Sequence, residues 1–465
     1  VLRRPAGRRV MTAAVVLLLA ALTATVTLTL HAGDNLQAPG ALLAGNAVAW
    51  TLFAAAVWTV RKVPRRHATL LVLLGGAAVA LAGLTAPPRT SDDMFRYAWD
   101  GRVQAAGISP YAHPPAAPEL ASLRDEWLFP TKESCEGWGL TRAPGDLCVR
   151  INRPTVPTIY PPVAEAWYLA VHTVSPPDSR HKPIQLGGAL LAFGTTLALL
   201  KFLRRTPATA ALWAWCPAVA FEAVNNAHID TLGVLLTVLA LGTTSTRRGA
   251  LLGAAIAVKI LPVLALPAAL SGRRPLRVAA AAALTVALAY LPYAVASGPG
   301  VLGYLPGYLH EEGYDQDDVR RFALLRLLLP PVAAGPVAVV LLALTALYVW
   351  RRGDPARPWT GALLMTGTTL LLLSPNYPWY SLLLIALATL SDRWEWLPVT
   401  LAGTTLYLAG RLLPGFPLQA WTYGTAAAVV LAGTWWRARS QARERRSDSP
   451  AALNAAVNSP RPSVK

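Results

Sequence analysis

Charged side chains are scarce in this sequence: Asp, Glu, Lys and Arg make up 14% of its 465 residues, while 54% are hydrophobic. A soluble domain ordinarily carries about 25% charged residues, so a water-soluble globular enzyme is excluded first. Cysteine is almost absent, with three residues, which excludes a disulfide-built scaffold and a zinc-ribbon motif. Cys216 lies in an apolar run and reads as a small buried residue. Cys135 and Cys148 share one long polar segment, where pairing would require an oxidising compartment. Lysine is rare as well, with six among 42 basic residues. The net charge of +18 comes mainly from short Arg clusters between apolar runs. That is the positive-inside pattern of a membrane protein, and it speaks against a nucleic-acid partner.

What is abundant is apolar sequence in runs of about 20 residues, the length that crosses a hydrocarbon core of about 30 Å. The first covers Met11 to Leu30, behind Arg3, Arg4, Arg8 and Arg9, and reads as a retained first helix. Further runs near 41–60, 68–86, 184–203, 208–222, 229–245, 277–296, 332–350, 358–374, 378–391, 396–411 and 418–436 bring the expectation to about twelve spans. The fold class expected is therefore an all-α integral membrane protein, a polytopic helical bundle with one large external loop. The clusters Arg61/Lys62/Arg65/Arg66, Arg204/Arg205, Arg247/Arg248, Arg273/Arg274/Arg277 and Arg351/Arg352/Arg357 all fall on one side. Both termini are then cytoplasmic, in the plasma membrane of a bacterial cell.

Two stretches fit poorly. Leu251 to Leu270, broken by Pro262 and Pro267, is either a hairpin of half-helices or a span that inverts the topology. Val163 to Val174 is short for a span and reads as interfacial. The membrane domain is expected over 1–436, and 437–465 reads as a disordered basic cytoplasmic tail.

The longest segment between spans, 87–183, is external in this scheme, and a loop of that length is ordinarily functional or folded. It opens with T-S-D-D-M-F-R-Y-A-W-D-G-R from Thr90. A helix over 92–105 puts Asp93, Tyr97 and Asp100/Gly101 on one face and makes an amphipathic helix lying on the outer membrane surface. Carboxylates at a lipid boundary are desolvated and, when paired, repel one another, which moves them toward the general-base range. Asp93 is read as catalytic. For Asp92, with Ser91, the favoured reading is a helix N-cap, a catalytic role being the alternative.

The strings D-M-F-R-Y-A-W-D-G, G-I-S-P-Y-A-H-P-P and I-N-R-P-T-V-P-T-I-Y-P-P together resemble bacterial GT-C glycosyltransferases that use polyprenyl-phosphate-linked sugars, most of all the actinobacterial membrane mannosyltransferases. The resemblance extends to N-N-A-H-I-D from Asn225, A-V-K-I-L-P from Ala257 and S-P-N-Y-P-W-Y from Ser374, with Ser109 a departure where Asn or Asp is common. It implies that Asp93 is the base and that a hexose, mannose being expected, moves from a polyprenyl-phosphate donor to a lipid-linked glycan acceptor. Arg suits the donor phosphate because its planar fork gives two parallel hydrogen bonds. Arg96, Arg102 and Arg153 are the candidates for that role.

Tyr97, Tyr160, Asn226, His228, Tyr377 and Trp379 are candidates for sugar or acceptor contact. Glu222, Asn225, Asn226, His228 and Asp230 interrupt apolar spans, where polar groups are costly unless partnered; the alternative is a short turn with Asp230 capping the next helix. Lys259 reads as snorkelling to the cytoplasmic surface or holding a lipid phosphate, the former favoured. His310 to Arg321 is an acidic segment read as solvated loop rather than lid. No metal set is assigned, although Asp92/Asp93 are compatible with a divalent cation. The rival class is a secondary transporter or lipid flippase, which predicts inverted repeats that the sequence does not show.

Overall fold

The computed structural model describes residues 4–131, 134–305, 307, 321–410, 412–413 and 415–447. Three long helices open the chain: α1 (Arg4–His31), α2 (Pro39–Val60) and α3 (Arg65–Gly83). Next come α4 (Asp93–Ala105), a hairpin of β1 (Thr141–Ala143) and β2 (Leu147–Val149), α5 (Pro162–Val174) and α6 (Lys182–Phe202). The middle of the chain is broken into α7 (Ala211–Ala214), a π-helical segment Val219–Asn225, α8 (Asp230–Leu241), α9 (Ser245–Ile256) and α10 (Leu266–Ala269). The rest is α11 (Pro275–Ser297), α12 (Ala323–Arg326), α13 (Pro331–Arg352), α14 (Pro358–Leu373), α15 (Ser381–Ser391), α16 (Leu397–Ala409) and α17 (Phe416–Ser447). The chain is an all-α multi-pass membrane protein.

Among the described residues six helices are long and apolar enough to cross a bilayer: those around Arg9–His31, Pro39–Val60, Arg65–Gly83, Lys182–Phe202, Pro275–Leu302 and Pro331–Arg352. A seventh arises if Val219–Asn225 and Asp230–Leu241, bent by 111°, count as one broken span. Among the other apolar runs, Pro358–Leu373 and Pro378–Ser391 are shorter helices, while 418–436 lies in the 32-residue helix Phe416–Ser447, whose composition is less apolar. The expectation of about twelve spans and this count differ because apolar length does not reveal where Pro and buried polar groups break a run.

Glycines let the broken segments sit inside the bundle. A Cβ on Gly83 would stand 2.8 Å from the Ala220 carbonyl oxygen, and one on Gly188 only 2.2 Å from that of Ala223. Helices α3 and α6 thus grip the π-helical segment by direct backbone contact, the way small residues pack helices in lipid. The ambiguous stretch 251–270 resolves in the same manner. Gly249 abuts Val278 and Gly253 abuts Ala282, so α9 and α11 run parallel and the chain between them must return. It does so through the short turns Leu261–Ala265 and Leu266–Ala269. This is the hairpin of half-helices, with Lys259 at its tip.

The long loop folds as a cap. Phe95, Trp99 and Val103 of α4 bury against Leu120, Leu128, Phe129, Val149 and Ile151, and a Cys135–Cys148 disulfide ties the hairpin. On its other side α4 packs on α5 through stacked Tyr97 and Tyr168 and through Gly101, where a Cβ would meet the Tyr168 carbonyl oxygen at 2.5 Å. Helix α4 therefore does not lie on a lipid surface as expected, because the loop covers its apolar side. Likewise α5 is a partner of α4 and not a free interfacial helix. The final helix continues to Ser447 beyond the boundary expected at Arg437, whose guanidinium bonds Glu395 at 3.0 Å; R-A-R-S-Q-A-R-E-R-R is rich in helix formers.

Candidate active site

The chain between α3 and α4 is fastened by two side-chain amides of the broken span. Asn225 accepts from the Arg89 N–H at 3.1 Å and donates to the carbonyls of Gly83, Ala86 and Pro87. Asn226 accepts from the N–H groups of Thr90 and Ser91 at 3.3 Å and donates to Thr90 Oγ1 at 2.6 Å. Two carboxylates follow at once. Asp92 occupies the N-cap position of α4, but its side chain makes no capping bond; Ser91 Oγ accepts from the Asp93 N–H instead, at 3.3 Å. The side chain of Asp92 turns toward Asn152, whose Nδ2 donates to Asp92 Oδ1 at 3.2 Å and to Asp93 Oδ1 at 2.7 Å. One amide thus bridges both acids. Burial, and then the neighbouring charge of Asp93, push the Asp92 carboxyl up to about 6, while the Asn152 bond opposes the rise.

Behind Asp93 stands His228. Its Nδ1 is 3.6 Å from Asp93 Oδ2 and its Nε2 is 3.3 Å from Glu222 Oε2, with the imidazole side chain fully buried. The ring lies parallel to Trp379, centroids 4.0 Å apart, and Trp379 stacks in turn on Tyr377 at 4.8 Å. Glu222 also accepts from Asn226 at 3.0 Å. These groups are aimed by an irregular backbone: Ala227 holds a positive φ of 51°, a conformation that costs a non-glycine residue of order 1 kcal/mol and recurs at functional sites.

The two acids open onto a cavity of about 540 Å³. Its polar lining includes Asp92, Asp93, Asn152, Arg153 and Lys259; Tyr160, Tyr377, Trp379, Tyr380 and Tyr407 give aromatic walls. Its apolar lining is Ile260, Leu261, Val263, Leu264, Leu305, Leu370 and Leu373. Lys259 donates to Asp230 Oδ2 at 2.6 Å and lies over the Tyr380 ring. The favoured reading of Lys259 as a snorkelling residue is thus corrected: the hairpin turns its ammonium inward, to a buried carboxylate. Asp230 is the first residue of α8 and follows the sharp turn of the alternative reading, but its Oδ2 takes Lys259 and its Oδ1 makes no hydrogen bond, so it supplies no cap.

The structure divides the candidates chosen from sequence. Asp92, Asp93, Arg153, Tyr160, Tyr377 and Trp379 all line the cavity. Arg96 does not: it is buried, paired to Asp100 at 2.9 Å, and its remaining N–H groups go to the carbonyls of Arg153 and Val156. Arg102 is likewise engaged, by Asp125 and the Leu123 carbonyl. Tyr97 lies beneath Tyr160 in the α4–α5 interface, while Asn226 and His228 support the acids from behind and are closed to a sugar. The cavity is also lined by Lys259, whose alternative reading from sequence is a lipid-phosphate contact, and by Asn152, which nothing in the sequence singled out. The acidic segment from His310 lies outside the described residues up to Arg320. Among the described residues no group of three His, Cys, Asp or Glu side chains is placed to hold a metal ion, so a divalent cation would find only Asp92 and Asp93 at the cavity, both bonded to Asn152.

Fold and site together define a membrane-embedded protein in which a carboxylate pair and two cations line one largely apolar and aromatic cavity. The profile of glycosyltransferase family 87 (GT87) matches residues 159–375, just under half of the chain, and supports a membrane glycosyltransferase. No curated protein and no solved structure matches the chain. The matched segment includes Tyr160, the broken span, the hairpin with Lys259 and α14, but not Asp92 or Asp93.

Proposed function

We propose that this protein transfers a hexose, with mannose the expected sugar, from a polyprenyl-phosphate donor to the hydroxyl of a lipid-linked glycan. The observation that carries the reading is the mixed lining of the cavity. A polyprenyl phosphate has a charged head and a long apolar tail; the cavity lining holds both Arg153 and Lys259 and a set of leucines. Two of the apolar lining residues, Ile260 and Val263, are 51% and 37% exposed, apolar surface that a prenyl tail would cover. The loop carries the disulfide and faces away from the Arg clusters, in keeping with an outer-leaflet reaction and cytoplasmic termini in the plasma membrane.

The chemistry follows from the placement of charge. The acceptor oxygen attacks the anomeric carbon as the bond from that carbon to the phosphate oxygen breaks. Its proton passes to Asp93, and the electrons of the broken bond remain on the phosphate beside Lys259 and Arg153. A phosphate already ionised needs no general acid, and attack opposite to it inverts the anomeric configuration. The transporter reading is not favoured by the family match.

The test is transfer of radiolabelled mannose from synthetic polyprenyl-phosphate mannose in membranes holding equal amounts of wild type, Asp93→Asn or Asp92→Asn. Loss of about 10²–10⁴-fold is expected for Asp93→Asn and a much smaller loss for Asp92→Asn. Equal rates in all three would remove Asp93 from the role of base.

A further inference from the structure

Both ring nitrogens of His228 are buried, and neither makes a hydrogen bond of good geometry in the described structure. Two buried nitrogens without partners are expensive, yet each points at a single group: Nδ1 at Asp93 Oδ2, 3.6 Å away, and Nε2 at Glu222 Oε2, 3.3 Å away. Trp379 covers one face of the ring, so the imidazole is constrained in its own plane. Such separations close to hydrogen bonds by small side-chain shifts when substrate compacts a site.

Hydrogen-bond accounting then fixes the arrangement. A neutral imidazole has one N–H and one bare nitrogen. Asn152 donates to Asp93 Oδ1; Asp92, Asp230 and the hydroxyls of Tyr97, Tyr160 and Tyr407 are also near Asp93, and Lys259 and Arg153 line the same cavity. Asp93 is the better solvated of the two acids, with 15% of its side chain exposed against 5% for Glu222, so a single negative charge is better held there. An ionised Asp93 needs a donor at Oδ2, and Nδ1–H is the one in place; the bare Nε2 then faces a Glu222 that carries a proton. We propose that His228 is a positioning residue for the reaction: it presents Nδ1–H to Asp93, with Glu222 fixing that tautomer, and together with Asn152 it locks the carboxylate so that one oxygen lone pair is aimed at the acceptor hydroxyl.

The proposal rests on the glycosyltransferase reading for its turnover assay and is independent of it in a second assay. In turnover, His228→Ala lowers kcat by roughly 10–100-fold, the range for outer partners that orient a working group, with KM for the donor unchanged. His228→Asn, whose amide N–H stands close to the position of Nδ1–H, restores most of the rate; His228→Gln, which reaches toward Glu222 instead, does not. A packing role alone would make Asn and Gln equally poor. The second assay uses ¹⁵N-histidine-labelled protein in detergent, with the His228 signals assigned by their loss in His228→Asn. The expected spectrum is a neutral ring protonated at Nδ1, changed in Asp93→Asn. An Nε2-protonated ring in wild type, a wild-type kcat in His228→Ala, or rescue by Gln and not Asn would each overturn the proposal. If wild type transfers no sugar, the glycosyltransferase reading fails while the resonance assay still decides the tautomer.

Discussion

The ion pair between Lys259 and Asp230 separates a structural role from a functional one, because its two members face different ways. Asp230 is 5% exposed and Lys259 reaches the cavity, the two joined at 2.6 Å. Replacing Lys259 with Met leaves the carboxylate buried without its cation. Breaking a buried pair by removing one partner costs about 3–5 kcal/mol, so Lys259→Met should unfold at a clearly lower temperature in detergent. Adding Asp230→Asn removes the orphaned charge and should return most of that loss, since replacing both members of a buried pair is often close to neutral. Activity should not return. If the ammonium also holds the donor phosphate, a charge-assisted hydrogen bond of about 1.5–3 kcal/mol is missing in both variants, which is roughly 10–150-fold in kcat/KM. The assays are thermal unfolding followed by Trp fluorescence and mannosyl transfer at varied donor concentration. Wild-type transfer by the double variant would show that Lys259 serves only Asp230, and a double variant as unstable as Lys259→Met would refute the electrostatic reasoning itself.

Three further outcomes follow from the same structure. The Asp92 carboxyl is raised to about 6 from an ordinary 3.8, so the folded state binds the extra proton between those values: stability falls as pH rises from 4 through 6, by up to about 3 kcal/mol at 1.36 kcal/mol per unit. Asp92→Asn should therefore melt higher than wild type at pH 7.5 and equally at pH 4, and a variant no more stable at pH 7.5 would disprove it. Gly101→Val would drive a side chain into the Tyr168 carbonyl, 2.5 Å from where its Cβ would stand; overpacking of about 1–3 kcal/mol should separate α4 from α5 and reduce transfer, whereas Gly107→Ala, with nothing within 4 Å but a positive φ of 78°, should cost only about 1 kcal/mol. Cys135→Ser opens a cross-link 13 residues long, worth about 3 kcal/mol by loop closure; limited proteolysis of the 107–160 region should accelerate, and unchanged cleavage would mean the cap holds without it.

The membrane class, the helix at 93–105 and the face shared by Asp93, Tyr97 and Gly101 were legible because each rests on local periodicity or apolar length. The choice among arginines has a legible part: Arg96 and Asp100 are spaced i, i+4, the spacing of an intrahelical pair, and that pair is what removes Arg96 from the cavity. Arg102 meets Asp125 only because the cap folds back, and no local pattern announces it. Lys259 and Asp230 are 29 residues apart, joined by a hairpin whose direction depends on glycine contacts with α11. Asn152 lies in a string singled out for its Arg and its prolines; an amide that bridges two acids sixty residues away leaves no periodic trace. The break at 226–229 was visible as polar residues inside apolar runs, but not the backbone that turns His228 behind the acids.

The fastening of residues 83–91 by Asn225 and Asn226 has a consequence for biogenesis. The segment that sets the acids leaves the ribosome some 135 residues before the amides that hold it. Asp93 is therefore synthesised long before it is placed, and a chain inserted only as far as α6 contains the carboxylate without its orientation. On the proposed reading, reactivity is withheld until the broken span has entered the bilayer, and a half-assembled protein does not consume its sugar donor.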